Sequence, residues 1–178
     1  MTNNHHTNRV FSVKCLPKEK HDKNVFFSGG WDNTVHIWDV RAKEGSQRMI
    51  HGPTVSADSL DYKNGVILAG NYRNNDIAQL YDFGSGKLIE NLDIGEPHNS
   101  KSYCFTATFA QRSEHDLMAV GLTNTNCVKI LQDKMVVSTV KFQAAPLSMD
   151  FYRFGNKDFL IVGGLEGTIY VLKIKITA

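Results

Sequence analysis

The sequence predicts an all-β chain built from four repeated units of short strands. Three observations lead to this prediction: strand-like runs occur throughout the 178 residues, no segment has convincing helical periodicity, and four segments share one order of apolar runs and polar turns. Matching positions recur roughly every 40–50 residues, a spacing typical of β-propeller blades and also compatible with a β-sandwich. We place the units at about 5–50, 51–95, 96–143 and 144–178 within a single domain, residues 1–178.

Each unit opens with a run whose first, fourth and sixth residues are mostly apolar, which predicts the first strand of a blade. These residues are Val10, Val13 and Cys15, then Ala57, Leu60 and Tyr62, then Cys104, Ala107 and Phe109, then Pro146, Met149 and Phe151. We expect these positions to point inward, so Cys15 and Cys104 should be buried structural thiols, as should Cys127 in a later run. Three widely spaced cysteines fit a reducing compartment.

A nearly all-apolar run that ends in glycine follows in each unit, and it predicts a strand buried on both faces. These second runs are 25–30, 66–70, 117–121 and 159–164. After a polar turn, an alternating third run predicts another strand, at 34–40, 77–83, 127–131 and 168–174. A fourth run follows in the first three units only, at 46–50, 87–92 and 135–142. The glycine pairs 29–30 and 163–164 are expected to permit tight turns.

The first unit carries the most specific motif of the chain. His6 precedes the first run, Asp32 lies in a Trp-Asp-Asn-Thr turn, and the third run ends in Trp38-Asp39. This pattern resembles a WD repeat. The later units resemble it more loosely, with Tyr81-Asp82, Leu131-Gln132 and Leu172-Lys173 in the Trp-Asp place. The resemblance covers roughly residues 5–178 and implies the WD-repeat β-propeller family, here as a four-blade arc equivalent to half a propeller.

The resemblance implies a structural role for a set of four residues: His6, Ser28, Asp32 and Trp38. In WD repeats the matching side chains form a hydrogen-bonded tetrad, and the residue types suit it, because an indole only donates and a hydroxyl both accepts and donates. A hydrolase would also use His, Ser and Asp, but Ser28 lies mid-strand without the sharp turn of a nucleophile. The other units lose the set, with Ala69, Val120 and Val162 in the place of Ser28, His98 as a possible tetrad histidine and Glu166 in the place of Asp32.

A partner-binding surface is predicted at the turns between second and third strands. In WD-repeat proteins the residue before the turn aspartate commonly faces outward, and here it is Trp31, with Arg9 nearby. Tyr72 and Arg73 occupy the enlarged turn of the second unit. Trp, Tyr and Arg are the residue types enriched in interface hot spots. The alternative is that Trp31 folds over its own blade.

The family resemblance implies a non-catalytic scaffold that binds protein partners within a larger propeller or a multi-protein complex. The alternatives are an RNA-binding propeller and a propeller enzyme with a central site. The balance of 20 basic and 18 acidic residues argues against nucleic acid. By alternation, polar residues face the axis without forming a recognisable catalytic set: Ser12, Lys14, Ser59, Asp61, Thr106, Thr108, Ser148 and Asp150.

No cofactor, metal or membrane contact is predicted. A zinc site of His5, His6, Cys15 and His21 lacks paired ligand spacing, and no apolar run approaches the ~20 residues that span a bilayer. With no secretory signal visible, the cytoplasm is the expected location and the nucleus the alternative. Because the fourth unit has no fourth run, the edge at 168–174 should be unpaired, so we expect no closed monomeric ring. A second copy, further sequence or another chain would complete it; the alternative is a self-contained four-blade ring.

Overall fold

The computed structural model describes residues 4–16, 23–97 and 101–175, which form fifteen strands in four antiparallel sheets. The first sheet contains β1 (Val10–Cys15), β2 (Val25–Gly30), β3 (Thr34–Asp39) and β4 (Arg48–His51). The second contains β5 (Leu60–Lys63), β6 (Val66–Gly70), β7 (Ala78–Asp82) and β8 (Leu88–Asn91). The third contains β9 (Cys104–Phe109), β10 (Leu117–Leu122), β11 (Cys127–Gln132) and β12 (Met135–Lys141), and the fourth β13 (Pro146–Phe154), β14 (Lys157–Gly164) and β15 (Ile169–Ile174).

Each sheet is a blade whose strands pair with their neighbours in chain order. The innermost strands of successive blades pack side by side, β1 against β5, β5 against β9 and β9 against β13, so the sheets fan around a common axis. This arrangement confirms the predicted all-β fold of four propeller blades. Within the described ranges, no helix is long and apolar enough to cross a membrane.

Three apolar layers hold successive blades together. The layer between the first and second blades contains, among others, Phe27, Val35, Leu60, Ile67 and Tyr81. Leu68, Leu80, Met118, Val120 and Leu131 belong to the layer between the second and third blades, and Ala119, Ile130, Met149, Leu160 and Val162 to the third layer. The two middle blades therefore bury one face against the blade before them and the other against the blade after them.

Two glycines at the ends of second strands are needed for close approach between blades. A Cβ at Gly29 would lie 2.7 Å from Leu60 Cδ1 of the second blade, and one at Gly70 would lie 2.9 Å from Ser59 Cβ and closer still to Cys104 of the third. Neither glycine has a positive φ. The left-handed residue of the turn after β2 is Asn33 (φ 59°), and Gly29 serves the contact between blades.

The outer face of the first blade corrects the predicted burial of its first strand. Val13 pairs with Ser28 and Cys15 with Phe26, so these side chains share the face that points away from the second blade. No sheet covers this face within the described residues, and Val13 is 57% exposed and Cys15 is exposed. Val10 is exposed as well. The predicted inward positions are therefore wrong for this strand.

The other two cysteines lie in the interior. Cys104 and Cys127 are buried in the layer between the second and third blades. Burial raises the pKa of Cys104 to about 12, and it also raises that of Cys127. Both thiols stay protonated and inert at neutral pH, as predicted for structural cysteines.

Candidate functional site

The exposed face of the first blade carries a continuous chain of side-chain hydrogen bonds. Trp38 Nε1 donates to Ser28 Oγ at 2.7 Å, and the Ser28 hydroxyl lies 2.8 Å from His6 Nε2. His6 Nδ1 lies 2.7 Å from Asp32 Oδ2. With neutral His6, each group can donate to the next, from indole through hydroxyl and imidazole to carboxylate. The structure thus brings together all four predicted tetrad residues.

The carboxylate of Asp32 is the acceptor at the end of this chain. Besides His6 it accepts hydrogen bonds from Thr34 Oγ1 at 2.8 Å and from the Thr7 N–H at 2.9 Å. Burial acts to raise its pKa, but the hydrogen bonds from Thr34, Thr7 and His6 outweigh burial and hold it below the ordinary value. Asp32 is therefore an ionised acceptor that ties the turn after β2 to the segment before β1.

A second histidine, His36, packs against this chain. It is 1% exposed, its ring centroid lies 4.1 Å from that of His6, and its Nδ1 lies 2.7 Å from Ser46 Oγ. Burial, together with the nearby His6, lowers the pKa of His36 to about 4. His36 is therefore neutral at physiological pH.

His6, Asp32 and His36 form a cluster whose ligand-type atoms lie within 4.8 Å of one another. Both ring nitrogens of His6 and both oxygens of Asp32 already take part in the hydrogen bonds above. The cluster therefore has the geometry of a satisfied polar network. Two histidines considered on sequence grounds, His21 of the possible zinc set and His98 of the third unit, lie outside the described residues.

A row of aromatic side chains crosses the first three blades, and we call it the aromatic stripe. It consists of Phe11, Trp31, Tyr72, Tyr103 and Phe105. Ring centroids lie 4.9 Å apart for Phe11 and Trp31, 6.2 Å for Trp31 and Tyr72, and 4.5 Å for Tyr72 and Tyr103. Phe105 meets Tyr72 edge-on at 5.8 Å. The stripe is a pre-arranged surface, because each ring is held by its neighbour.

Cationic and polar groups border the stripe at its first-blade end. The guanidinium carbon of Arg9 lies 5.6 Å from the centroid of the Trp31 ring, within cation–π range. The indole Nε1 of Trp31 is buried and has no hydrogen-bond partner among the described residues. Trp31 is itself half-buried between Phe11 of its own blade and Tyr72 of the next, so it spans two blades and does not fold over its own blade alone.

A repeated backbone hydrogen bond positions the stripe. In each blade, a residue just after the second strand donates its N–H to the residue that enters or precedes the first strand. The four bonds run from Trp31 to Arg9, Tyr72 to Thr54, Thr123 to Tyr103 and Leu165 to Ala145, at 2.9–3.0 Å. The same end of every blade therefore presents two adjacent side chains, and in the first three blades at least one of them is a stripe residue or its cation.

β-Bulges supply the remaining members of this surface. The pairing of first with second strand shifts register at residue 11 in the first blade, 105 in the third and 147 in the fourth. The bulged residues are Phe11, Phe105 and Leu147. A bulge re-aims a side chain out of the normal alternation of a strand. Each bulge therefore adds a large apolar side chain to the same end of the blades.

Beyond Tyr103 the stripe continues into an open groove of about 710 Å³. Its apolar lining comes from the stripe and the fourth blade and includes Tyr72, Phe105, Leu147 and Leu165. Its polar lining consists of the amide and hydroxyl groups of Thr123, Asn124, Asn126 and Gln143. No lysine or arginine is among the described lining residues, so the groove is neutral and amphipathic.

Three of the four predicted contact residues are neighbours in this surface: Trp31, Arg9 and Tyr72. Arg73 has no cation–π contact with the stripe among the described residues. Sequence reasoning missed Phe11, Tyr103 and Phe105. The signal was present, because Phe11, Phe105 and Leu147 all hold the second position of the repeated first run.

The predicted axial residues are used largely in contacts between blades. Lys14 pairs with Asp58 at 3.0 Å, and Asp61 accepts hydrogen bonds from Thr108 Oγ1 at 3.1 Å and from the Phe109 N–H at 2.7 Å. Burial raises the pKa of Asp61 although these bonds oppose the shift. Ser59 is fully buried and donates to the backbone, while the hydroxyls of Ser12 and Thr106 are buried without a described partner.

Parts of the sequence are similar to a known family profile and to known proteins. The profile described as "WD domain, G-beta repeat" matches residues 1–39. The chain is 26% identical over 162 residues to a ribosome biogenesis protein WDR12 homolog from Aedes aegypti, covering 87% of this chain and 35% of that protein. It is 24% identical over 122 residues to a guanine nucleotide-binding protein subunit beta from Solanum tuberosum, covering 68% and 31%. The chain thus spans about a third of the length of the curated relatives it matches.

Solved structures show the same fold. The WD40 β-propeller domain of Doa1 superposes with a TM-score of 0.69 at 16% identity, and a chain of the mitotic checkpoint complex with 0.70 at 14%. Each superposition covers 97% of this chain and 53% of the other. The chain therefore has the fold of four β-propeller blades, and its residues 1–39 match a WD40 repeat.

Proposed function

We propose that this chain is a non-catalytic platform that binds a protein partner, and that the aromatic stripe with its adjoining groove is the contact surface. The observation that carries the proposal is the placement of five aromatic rings across three blades by backbone bonds and bulges. Several residues of this surface remain accessible, with Phe11 and Tyr72 each 39% exposed and Leu165 65% exposed. An apolar surface held open in this way is typical of an interaction site.

The chemistry of the surface favours a polypeptide ligand. Pre-ordered Trp and Tyr rings lose little side-chain entropy on binding, and they offer large apolar area together with polar edges. In the neutral groove beyond them, Asn124 and Asn126 each donate one amide N–H to a backbone carbonyl, which leaves the second N–H and the amide oxygen of each for an extended backbone. Its partner would therefore present an apolar or aromatic side chain to the stripe and main-chain groups to Asn124, Asn126 and Gln143.

Aromatic rings also stack on nucleic-acid bases, so RNA is the second candidate. Arg9 is a cation in contact with the stripe, and base stacking beside a cation is a typical RNA-binding arrangement. The described lining of the groove, however, contains no basic residue to hold phosphates. The near-neutral charge of the whole chain points the same way, so the protein partner is favoured.

The relatives support a binding role in general terms. One is named as a subunit of a guanine nucleotide-binding protein, one as a ribosome biogenesis protein, and one structure is of a mitotic checkpoint complex. These names describe those proteins, and we take from them the proposal that this chain also works within an assembly. A cytoplasmic site of action is part of the proposal.

The test uses a partner retained by the chain under nuclease treatment, purified and titrated against it. The double variant Trp31→Ala and Tyr72→Ala removes the centre of the stripe and should weaken binding about 100-fold or more, since hot-spot residues commonly contribute about 2 kcal/mol each. The matched control is Tyr152→Ala with Phe154→Ala, which removes two exposed aromatic residues from the fourth blade and should leave affinity within about threefold.

Circular dichroism and melting must show that both double variants are folded. Equal affinities of the parent and the stripe variant would move the interface elsewhere. Failure of the chain to retain any partner under nuclease treatment, or binding of the purified partner that falls steeply with salt concentration, would favour RNA over protein.

A further inference from the structure

A cavity of about 400 Å³ lies between the second and third blades, at the end of the blades opposite the aromatic stripe. The stripe lies near the turns between second and third strands, whereas this cavity opens beside the turns that follow β5 and β11. The second blade also packs against the first, and the third against the fourth, so both walls belong to middle blades of the arc. The cavity is large enough for a small ligand or for one residue of a peptide.

The floor of the cavity is apolar. Leu80, Phe109 and Met118 form it, and all three are buried members of the core layer between the two blades. Val66, which is half-buried, packs against the same layer. An apolar group that enters the cavity would leave water for contact with this layer, and such a transfer is favourable.

Two lysines that line the cavity join its walls. Lys63 of the second blade donates to the Ala110 carbonyl of the third blade at 2.9 Å. Lys134 of the third blade pairs with Glu90 of the second blade at 2.7 Å. Because these contacts run between the blades in both directions, they hold the cavity open without a ligand.

The ammonium group of Lys63 is short of hydrogen-bond acceptors. Its side chain is only 13% exposed, yet among the described residues its three donors have one acceptor, the Ala110 carbonyl. The carboxylate of Asp116 lies 3.9 Å from Nζ, which is too far for a hydrogen bond. A nearly buried charge is stable when it is both paired and hydrogen-bonded. Lys63 therefore favours an anionic group inside the cavity.

The acidic residues around the cavity leave room for such a group. The side chain of Asp116 is half-exposed, so water can solvate its carboxylate when it turns away from Lys63. Glu114, the other acidic lining residue, is already paired with Arg153 at 2.9 Å. An incoming carboxylate would replace Asp116 beside Lys63 and would form shorter, charge-assisted hydrogen bonds.

We propose that this cavity binds the C-terminal residue of a partner polypeptide. The α-carboxylate would pair with Lys63, and a large apolar side chain such as that of leucine would lie on the floor. Capture of a C-terminal carboxylate is a recurring mode of peptide recognition. A C-terminal residue carries the carboxylate and the side chain on one carbon atom, which matches an ammonium group and an apolar floor within one cavity.

The mouth of the cavity favours a polypeptide over a free acid. Asn64 and His115 line the cavity and are exposed, so the chain that precedes the bound residue would leave beside them. Main-chain contacts at this mouth would add to the affinity of the terminal residue. The site lies at the other end of the blades from the aromatic stripe and does not depend on the function proposed for the stripe.

The probe is an acetylated six-residue peptide of alternating glycine and serine with leucine as its last residue and a free carboxylate, titrated against the whole chain. The methyl resonances of Leu80 and Met118 should shift in NMR spectra as the peptide binds. The same peptide with a C-terminal amide should bind about tenfold more weakly, as should a peptide that ends in glycine. N-acetyl-leucine should bind about fivefold more weakly than the peptide, because it lacks the chain that crosses the mouth.

Substitutions around the cavity test the pairing. Lys63→Met keeps the aliphatic stem but removes the charge, so it should weaken binding of the acid about tenfold and leave binding of the amide unchanged. Asp116→Asn removes the competing carboxylate and should strengthen binding of the acid about threefold. The matched control is Lys134→Met, which removes an exposed lysine already paired with Glu90 and should leave affinity within about twofold. Circular dichroism must show that the variants are folded, and if Lys63→Met is not, Asp116→Asn and the comparison of acid with amide decide.

Absence of shifts at Leu80 and Met118 with millimolar peptide would overturn the proposal. Equal binding of the acid and the amide would also overturn it. So would equal losses from Lys63→Met and Lys134→Met, since they would show a general attraction to positive charge. Binding of N-acetyl-leucine as tight as that of the peptide would place a small carboxylic acid in the cavity and would overturn the polypeptide as its occupant.

Discussion

Removal of the Trp38 indole is expected to destabilise the first blade by about 2–4 kcal/mol. The indole donates one hydrogen bond to Ser28 and packs against Phe26 and His36, with ring centroids 5.9 and 5.6 Å away. Fully buried Trp→Ala changes cost about 3–5 kcal/mol, and the loss expected for Trp38 is smaller because its side chain is only half-buried. Trp38 keeps this partial exposure because no described sheet covers this face.

Trp38→Phe separates the ring from its donor. Phenylalanine keeps most of the contact with Phe26 and His36 but cannot donate to Ser28, so the expected loss is about 1 kcal/mol. Ser28→Ala should cost about 1–3 kcal/mol, because it leaves both the indole N–H and His6 Nε2 without their partner. The double variant should lose about 1 kcal/mol less than the sum, since the shared hydrogen bond is removed once.

Urea unfolding followed by far-ultraviolet circular dichroism measures these losses without relying on tryptophan fluorescence, which the substitution itself changes. Unfolding must be a single transition with an unchanged dependence on urea. A free energy of unfolding for Trp38→Ala within about 0.5 kcal/mol of the parent would refute the structural role of the tetrad. Strictly additive effects of Trp38→Phe and Ser28→Ala would refute the direct bond.

Two further perturbations test the interior. Because burial and His6 lower the pKa of His36 to about 4 from 6.5, the unfolded chain binds a proton there before the folded chain does. The free energy of unfolding is therefore undiminished above pH 6.5 and falls by up to about 3 kcal/mol as the pH drops towards 4. In urea unfolding at a series of pH values, His36→Gln should flatten this fall. An unchanged slope in the variant would contradict the assignment to His36. Gly70→Ala should cost about 1–3 kcal/mol by calorimetry, since its methyl group would overlap Ser59 and Cys104. Gly163→Ala, whose new methyl group has 3.9 Å to its nearest neighbour, is the matched control, and equal melting of the two variants would show that the close approach is unimportant.

Strand positions could be predicted from the sequence because each second strand is apolar along most of its length, and the second strands of the two middle blades are buried on both faces. Such strands read as unbroken apolar runs, and β2 and β6 begin and end where the runs do. First strands were harder, since a bulge or a preceding loop disturbs their alternation. β5 begins at Leu60, three residues after the start of its run, because Ala57 has a positive φ of 49°.

Burial on the terminal faces could not be predicted, because it depends on which blade lies next door. The positions that match Ser28 in the other blades are Ala69, Val120 and Val162, all fully buried against the preceding blade. Ser28, Phe26 and Trp38 occupy the same face of the first blade, where the described structure places no preceding sheet. An apolar pattern indicates a face that can be buried, and the neighbour decides whether it is.

The aromatic stripe was only half visible in the sequence for a related reason. Trp31 and Tyr72 stand out as turn residues, but the addition of Phe11 and Phe105 requires knowing that first strands bulge at their second residue. A regular strand would turn those side chains to the opposite face. The repeat therefore predicts the bulges of the other blades only after the bulge position is known in one blade.

The backbone bonds at this end of the blades explain how the side chains there can vary while the fold is kept. The bonds from Trp31 to Arg9 and from Leu165 to Ala145 have the same length, although one joins two large side chains and the other does not. The fourth blade has Val162 in the place of the tetrad serine, so its turn is held without a tetrad. Since main-chain groups and apolar layers fix each blade, the side chains at these positions can be exchanged at little structural cost. We therefore expect Trp38 variants to change stability and, on the proposed function, Trp31 variants to change binding.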